Sequence, residues 1–259
     1  MELRIENGVL YGDIPGDYWN GNWEDEDRLV ELIVPEGVTA IKDCAFFGVP
    51  WIRKVVIPGT VKVIEKEAFA ACSRLEELVI EEGVERIEAE AFRNCRITEL
   101  SLPRHSLKYI GDKAFDSNYF SRLELPQELE YLGAGSFRCN PHLESLTIPG
   151  TVKCIGDAAF VSCSMLETVV LQEGVEEIGV NVFSGCDRLA EISFPVSLRK
   201  IGKDAFEGIV NYTDDGEVYP EFLLPDRGVV IKDDWFKYVA DTYHRYKECD
   251  IAAAHDNHS

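Results

Sequence analysis

The chain has 259 residues, 46% hydrophobic and 28% charged, which is enough apolar material for a substantial core. Its 26 basic and 47 acidic residues leave a net charge of −21. That charge opposes phosphate backbones and anionic lipid, so no nucleic acid is expected as a partner. No run reaches the roughly 18–20 apolar residues that span a bilayer, and no membrane insertion is expected.

The opening stretch "MELRIENGVLYGD" has neither a basic n-region nor an apolar h-region. The expectation is a cytoplasmic protein or, with a leader removed, an exported one. Residues 1–28 read as an N-terminal capping segment, in which Tyr11, Tyr18, Trp19 and Trp23 cover an otherwise open core. A sugar- or peptide-binding aromatic shelf is the sharper alternative for them. Trp51, in "GVPWIRKV", is expected to be exposed near the first turns.

From residue 29 one unit recurs. Its phenylalanines are Phe46, Phe69, Phe92, Phe115, Phe137, Phe160, Phe183 and Phe206, spaced by 23 residues except for one step of 22. A period of about 20–30 residues marks a solenoid whose coils touch only their neighbours. Other columns keep the phase. Ile41, Ile64, Ile87, Ile110, Leu132, Ile155, Ile178 and Ile201 stand five residues before the phenylalanines, and aliphatics from Val38 to Leu198 stand three earlier still. Spaced pairs such as Leu78/Ile80, Leu123/Leu125 and Leu146/Ile148 predict a short strand with one buried face. Pro58, Pro103, Pro126, Pro149 and Pro195 end these strands, because proline donates no ladder hydrogen bond. Each coil is therefore predicted as strand, turn, short extended stretch, and a brief helical turn around Ala-Phe.

Eight cysteines in so long a chain do not predict a disulfide framework. Cys72, Cys95, Asn118, Asn140, Cys163 and Cys186 share one slot, three residues after the phenylalanine. A slot that accepts Cys or Asn suits a small inward group bonding to backbone of the adjacent coil. These six residues are expected to form a structural ladder.

Outward strand positions form two further columns. One is Glu31, Lys54, Glu77, Glu99, Arg122, Ser145, Thr168 and Glu191; the other is Ile33, Val56, Val79, Ser101, Glu124, Thr147, Val170 and Ser193. Stacked at ~4.8 Å per coil, they make a face roughly 40 Å long. Glu77, Glu99, Arg122, Glu124, Ser145, Thr147, Thr168, Val170 and Glu191 are the candidate ligand-binding residues on it. The plainer reading is that they simply suit exposed strands.

After Phe206 the rhythm breaks. Residues 211–259 read as a degenerate last coil followed by a capping helix, with Phe236, Val239, Ala240 and Tyr243 on one face. No G-x-S-x-G elbow, phosphate-cradling glycine loop or H-E-x-x-H occurs. No catalytic residue, metal site or cofactor is therefore expected.

"VVIPGTVKVIEKEAFAACSRLEEL", "LTIPGTVKCIGDAAFVSCSMLETV" and "LVIEEGVERIEAEAFRNCRITEL" resemble BspA-type leucine-rich repeats, the Treponema pallidum class. The resemblance covers roughly residues 29–210. It implies an α/β, right-handed horseshoe solenoid of eight to nine coils of ~23 residues, with a concave parallel sheet and short helical turns on the convex side. It also implies non-enzymatic binding of a protein or peptide, or an adhesin-like role at a cell surface.

Overall fold

The computed structural model describes residues 2–13 and 31–209, together with the backbone of strands Asn211–Thr213, Gly216–Val218, Glu221–Leu223 and Val230–Ile231. Trp19, Trp23 and the expected capping helix lie outside the described residues.

Two parallel ladders run along the array. One is an eleven-stranded sheet. Its repeating members are two-residue strands such as Ala40–Ile41, Val63–Ile64, Arg86–Ile87 and Tyr109–Ile110. A hairpin begins it: Glu2–Glu6 runs antiparallel to Val9–Asp13, and Val9 and Leu10 pair in parallel with Ala40 and Ile41. Leu10 is fully buried there. On the outside of this sheet the Arg86 guanidinium lies 3.8 Å from the centre of Tyr109, which stacks on Tyr131 at 4.5 Å.

The second ladder carries the longer strands and is interrupted. Glu31–Ile33, Lys54–Ile57, Glu77–Ile80 and Glu99–Ser101 form one four-stranded sheet. Ser145–Ile148, Thr168–Leu171, Glu191–Ser193 and Glu221–Leu223 form another. The strand expected at Leu123/Leu125 is absent, so Arg122 and Glu124 sit on irregular chain between the two sheets. Two local features account for the break. Phe120 fills a site that holds Leu75, Ile97, Leu143 or Leu166 in other coils, and it packs edge-on against Phe137 at 6.1 Å. The loop Pro103–Leu107 carries one residue more than Pro149–Val152, which offsets the short turn before Ile97 and keeps Ile110 paired with Ile87. The short turn before Phe120 has no such offset, because Pro126–Leu129 has the ordinary length, and the step from Phe115 to Phe137 is 22 residues.

Between the ladders, the phenylalanines stack face to face. From Phe46 to Phe206 the centroid separations run from 4.8 to 5.8 Å, with interplanar angles between 3° and 18°. All eight are fully buried. They bound about seven full turns among the described residues, rather than the eight to nine coils expected.

The Ala-Phe stretch corrects a second expectation, because no helix occurs among the described residues. Around Phe69 alternate amides are claimed by different partners. Ala68, Ala70 and Cys72 donate to the carbonyls three residues back in their own coil, while Glu67, Phe69 and Ala71 donate to Ala89, Ala91 and Arg93 of the next. A helix would use every amide internally, and this segment gives up every second one to stack. The alternation requires left-handed backbone two residues either side of the ring. Glu67 (φ 55°) and Ala71 (φ 59°) adopt it around Phe69, and Ala158 (57°) and Ser162 (59°) around Phe160. A side chain in that region costs about 1–2 kcal/mol, against about 0.5–1 kcal/mol for the extra entropy of glycine. The Ala71→Gly variant is expected to gain about 0.5–1 kcal/mol in a urea titration. A loss would mean that the half-buried methyl contributes more by packing than it costs in backbone strain.

Candidate interaction surface

The inward ladder defines what the outward surface rests on. Cys72, Cys95, Cys163 and Cys186 donate Sγ–H to the carbonyls of Phe46, Phe69, Phe137 and Phe160 at 3.1–3.4 Å. Asn118 and Asn140 donate Nδ2–H to Phe92 and Phe115 at 2.9 and 3.0 Å. Every member thus ties the bend after its own phenylalanine to the phenylalanine carbonyl of the previous coil. Burial pushes the Cys95 and Cys186 thiols well above the usual range, which keeps them as neutral donors and not as nucleophilic thiolates.

At Asn118 the choice of Asn over Cys follows turn length. Leu75, Leu143, Leu166 and Leu189 stand three residues after the ladder position, and their amides donate to its carbonyl in the same coil. Ile97 and Phe120 stand only two residues after Cys95 and Asn118, too close to close that turn. The ladder residue of the following coil is asparagine in both cases. Asn118 Oδ1 accepts the Ile97 amide at 3.2 Å. Asn140 follows the second short turn in the next coil, but its Oδ1 has no hydrogen-bond partner.

Pairing register puts the outward columns side by side. Glu31, Lys54, Glu77 and Glu99 are successive partners in the first sheet; Ser145, Thr168 and Glu191, and beside them Thr147, Val170 and Ser193, are partners in the second. The two halves differ in chemistry. In the first, Lys54 lies 3.1 Å from Glu77 and 3.4 Å from Glu31, and hydrogen bonds to both carboxylates raise its pKa. Beside this ion-paired column run Ile33, 62% exposed, and the half-buried Val56 and Val79. The second half presents small side chains around Val170, 37% exposed. At the break, Glu124 is paired with Arg104 at 2.9 Å, while Arg122 is exposed. Trp51 departs from expectation: it is half-buried and packs against the core.

One feature escapes strand alternation altogether. A cavity of about 490 Å³ opens at the strand-entry edge of the long-strand face, lined by Glu76, Arg96, Thr98, Tyr119 and His142. It coincides with the two short turns, and the visible signal is the 22-residue step from Leu75 to Ile97. Tyr119 and His142 form one wall, with centroids 5.9 Å apart and rings tilted by 40°.

A family profile described as a BspA type leucine rich repeat region matches residues 23–118 and 85–213, with six copies. The chain belongs to the BspA-type leucine-rich repeat family. Among solved structures, this BspA-type chain is similar to a leucine-rich repeat protein from Bacteroides ovatus, with 27% identity and a TM-score of 0.65 over 70% of this chain and 49% of that one. It is also similar to a leucine-rich repeat protein of T. pallidum, with 28% identity and a TM-score of 0.51 over 69% and 76% of the two chains. The chain thus spans about half the length of the Bacteroides ovatus protein. A search of curated proteins found no match.

Proposed function

We propose that this BspA-type chain is a non-enzymatic module that binds a protein or peptide along its long-strand face. Leucine-rich repeats generally serve as protein-interaction modules, and stacked solenoid faces offer extended, rigid docking surfaces. The observation that carries the reading is the second sheet. There Ser145, Thr147, Thr168 and Val170 lie in strict register on an outward surface, with short side chains that let another backbone approach closely.

The test is capture from source lysate and growth medium by the wild type and by a variant carrying Ser145→Lys, Thr168→Lys and Val170→Lys. The variant is expected to lose the captured partner while its urea unfolding transition stays in place, because all three positions point away from the core. Capture that persists unchanged rejects this face.

A further inference from the structure

The strand-entry edge carries a column of its own. The residue immediately before buried Leu75, Ile97, Phe120, Leu143, Leu166 and Leu189 is Arg74, Arg96, Tyr119, His142, Met165 and Arg188 in turn. Trp51 holds the same place before Ile52. In a chain with 47 acidic residues, this stripe contains none. Arginine, tryptophan, tyrosine and methionine are the residues that concentrate at the centres of protein interfaces, where aspartate and glutamate are depleted.

At the two short turns the stripe borders the cavity, between Arg96 and the Tyr119–His142 wall. Tyr119 is 43% exposed, so a ring face or edge is available to a visitor. Among the described residues no carboxylate lies within ion-pairing distance of Arg74 or Arg96, whereas Arg188 has Glu167 at 3.7 Å and Lys54 has two glutamates. Glu76, the carboxylate that lines the cavity, lies 3.9 Å from Arg53, and its backbone carbonyl accepts the Thr98 hydroxyl. The cation that lines the cavity without a carboxylate partner among the described residues is therefore the exposed Arg96, whose planar donor fork matches a carboxylate in bidentate geometry.

We propose that this cavity anchors an extended acidic segment of a partner protein. A carboxylate side chain bonds to the Arg96 guanidinium, and a neighbouring aliphatic or aromatic side chain packs against Tyr119 and His142. The segment then continues along the sheet edge past Arg74 or Met165. The chain's net negative charge does not forbid this, since repulsion between exposed charges is largely screened beyond about 8 Å at physiological ionic strength. Contact chemistry is set by the groups that line the cavity. The inference rests on the reading that the chain binds protein partners, and it names the anchor and the kind of segment.

A random linear-peptide display library is the probe, panned on the full chain. The wild type is expected to enrich peptides with Asp or Glu next to Leu or an aromatic residue. Arg96→Glu and Tyr119→Ala are each expected to weaken the best synthetic peptide about ten- to a hundredfold, the loss of one charged hydrogen-bond pair or one aromatic anchor. Arg199→Glu, an exposed arginine beside the short-strand sheet, is expected to bind as the wild type does, and thermal melts confirm that all variants fold. Enriched peptides that survive Arg96→Glu and Tyr119→Ala but are lost in the Ser145/Thr168/Val170 variant overturn the anchor and leave the sheet-face reading standing. Peptides without acidic preference, or no enrichment by the wild type, also overturn it.

Discussion

Replacing Phe160 with alanine is expected to remove about 3–5 kcal/mol of folding free energy, the range for large aromatic-to-alanine changes in packed cores. The ring is fully buried and stacked on both sides, on Phe137 at 5.6 Å and on Phe183 at 5.8 Å. Its backbone is engaged as well, with the amide donating to Val182 and the carbonyl accepting the Cys186 thiol. The surrounding coils are held by ladder hydrogen bonds on both sheets, so they collapse poorly into the void. Because each coil contacts only its neighbours, the lost rung weakens one joint in a linear array. The urea titration is therefore expected to show both a lower midpoint and a shallower slope, as the segments either side of the joint begin to unfold separately. A loss below about 1 kcal/mol with an unchanged slope would mean that the stack contributes little beyond what its neighbours supply.

What could be read in the sequence and what could not divide along a physical line. The spacing of Phe69, Phe92 and Phe160, the aliphatic column through Ile64 and Ile87, and the Cys/Asn slot all report which side chains point inward. Burial repeats with the coil, so it is written directly in the residue pattern. The backbone of the Ala-Phe stretch is not written there. Ala-Phe-Ala-Ala favours a helix locally, but the amides of Glu67, Phe69 and Ala71 are taken by a coil more than twenty residues away. No local propensity encodes that competition. The break in the long-strand face was hidden for a related reason. Arg122 and Glu124 keep their places in the count, yet the short turn before Phe120 and the bulk of its ring displace the chain around them. The cavity lies one residue outside the strand pattern, where alternation has nothing to say. It is located instead by the departures from a constant period, which carry no weight in establishing the repeat itself.

Those same departures make the ladder asparagines unequal, and the second prediction turns on this. Asn118→Cys is expected to cost about 1–3 kcal/mol, the penalty for leaving a buried amide without its acceptor. Cysteine can replace the Nδ2–H donation to the Phe92 carbonyl, as Cys95 does for Phe69, but it has no oxygen to receive the Ile97 amide. That amide cannot turn to its own coil, because Cys95 is only two residues away. Asn140→Cys is expected to cost less than about 1 kcal/mol. The thiol keeps a donation to the Phe115 carbonyl, and the substitution removes a buried amide oxygen that has no partner. Urea titrations of both variants give the comparison. Hydrogen exchange supplies the local readout: the Ile97 amide is expected to exchange faster in Asn118→Cys and to keep its wild-type rate in Asn140→Cys. Equal losses in the two variants, or an Ile97 amide indifferent to Asn118, would show that the column tolerates Cys and Asn for volume alone. Turn length would then play no part in the choice.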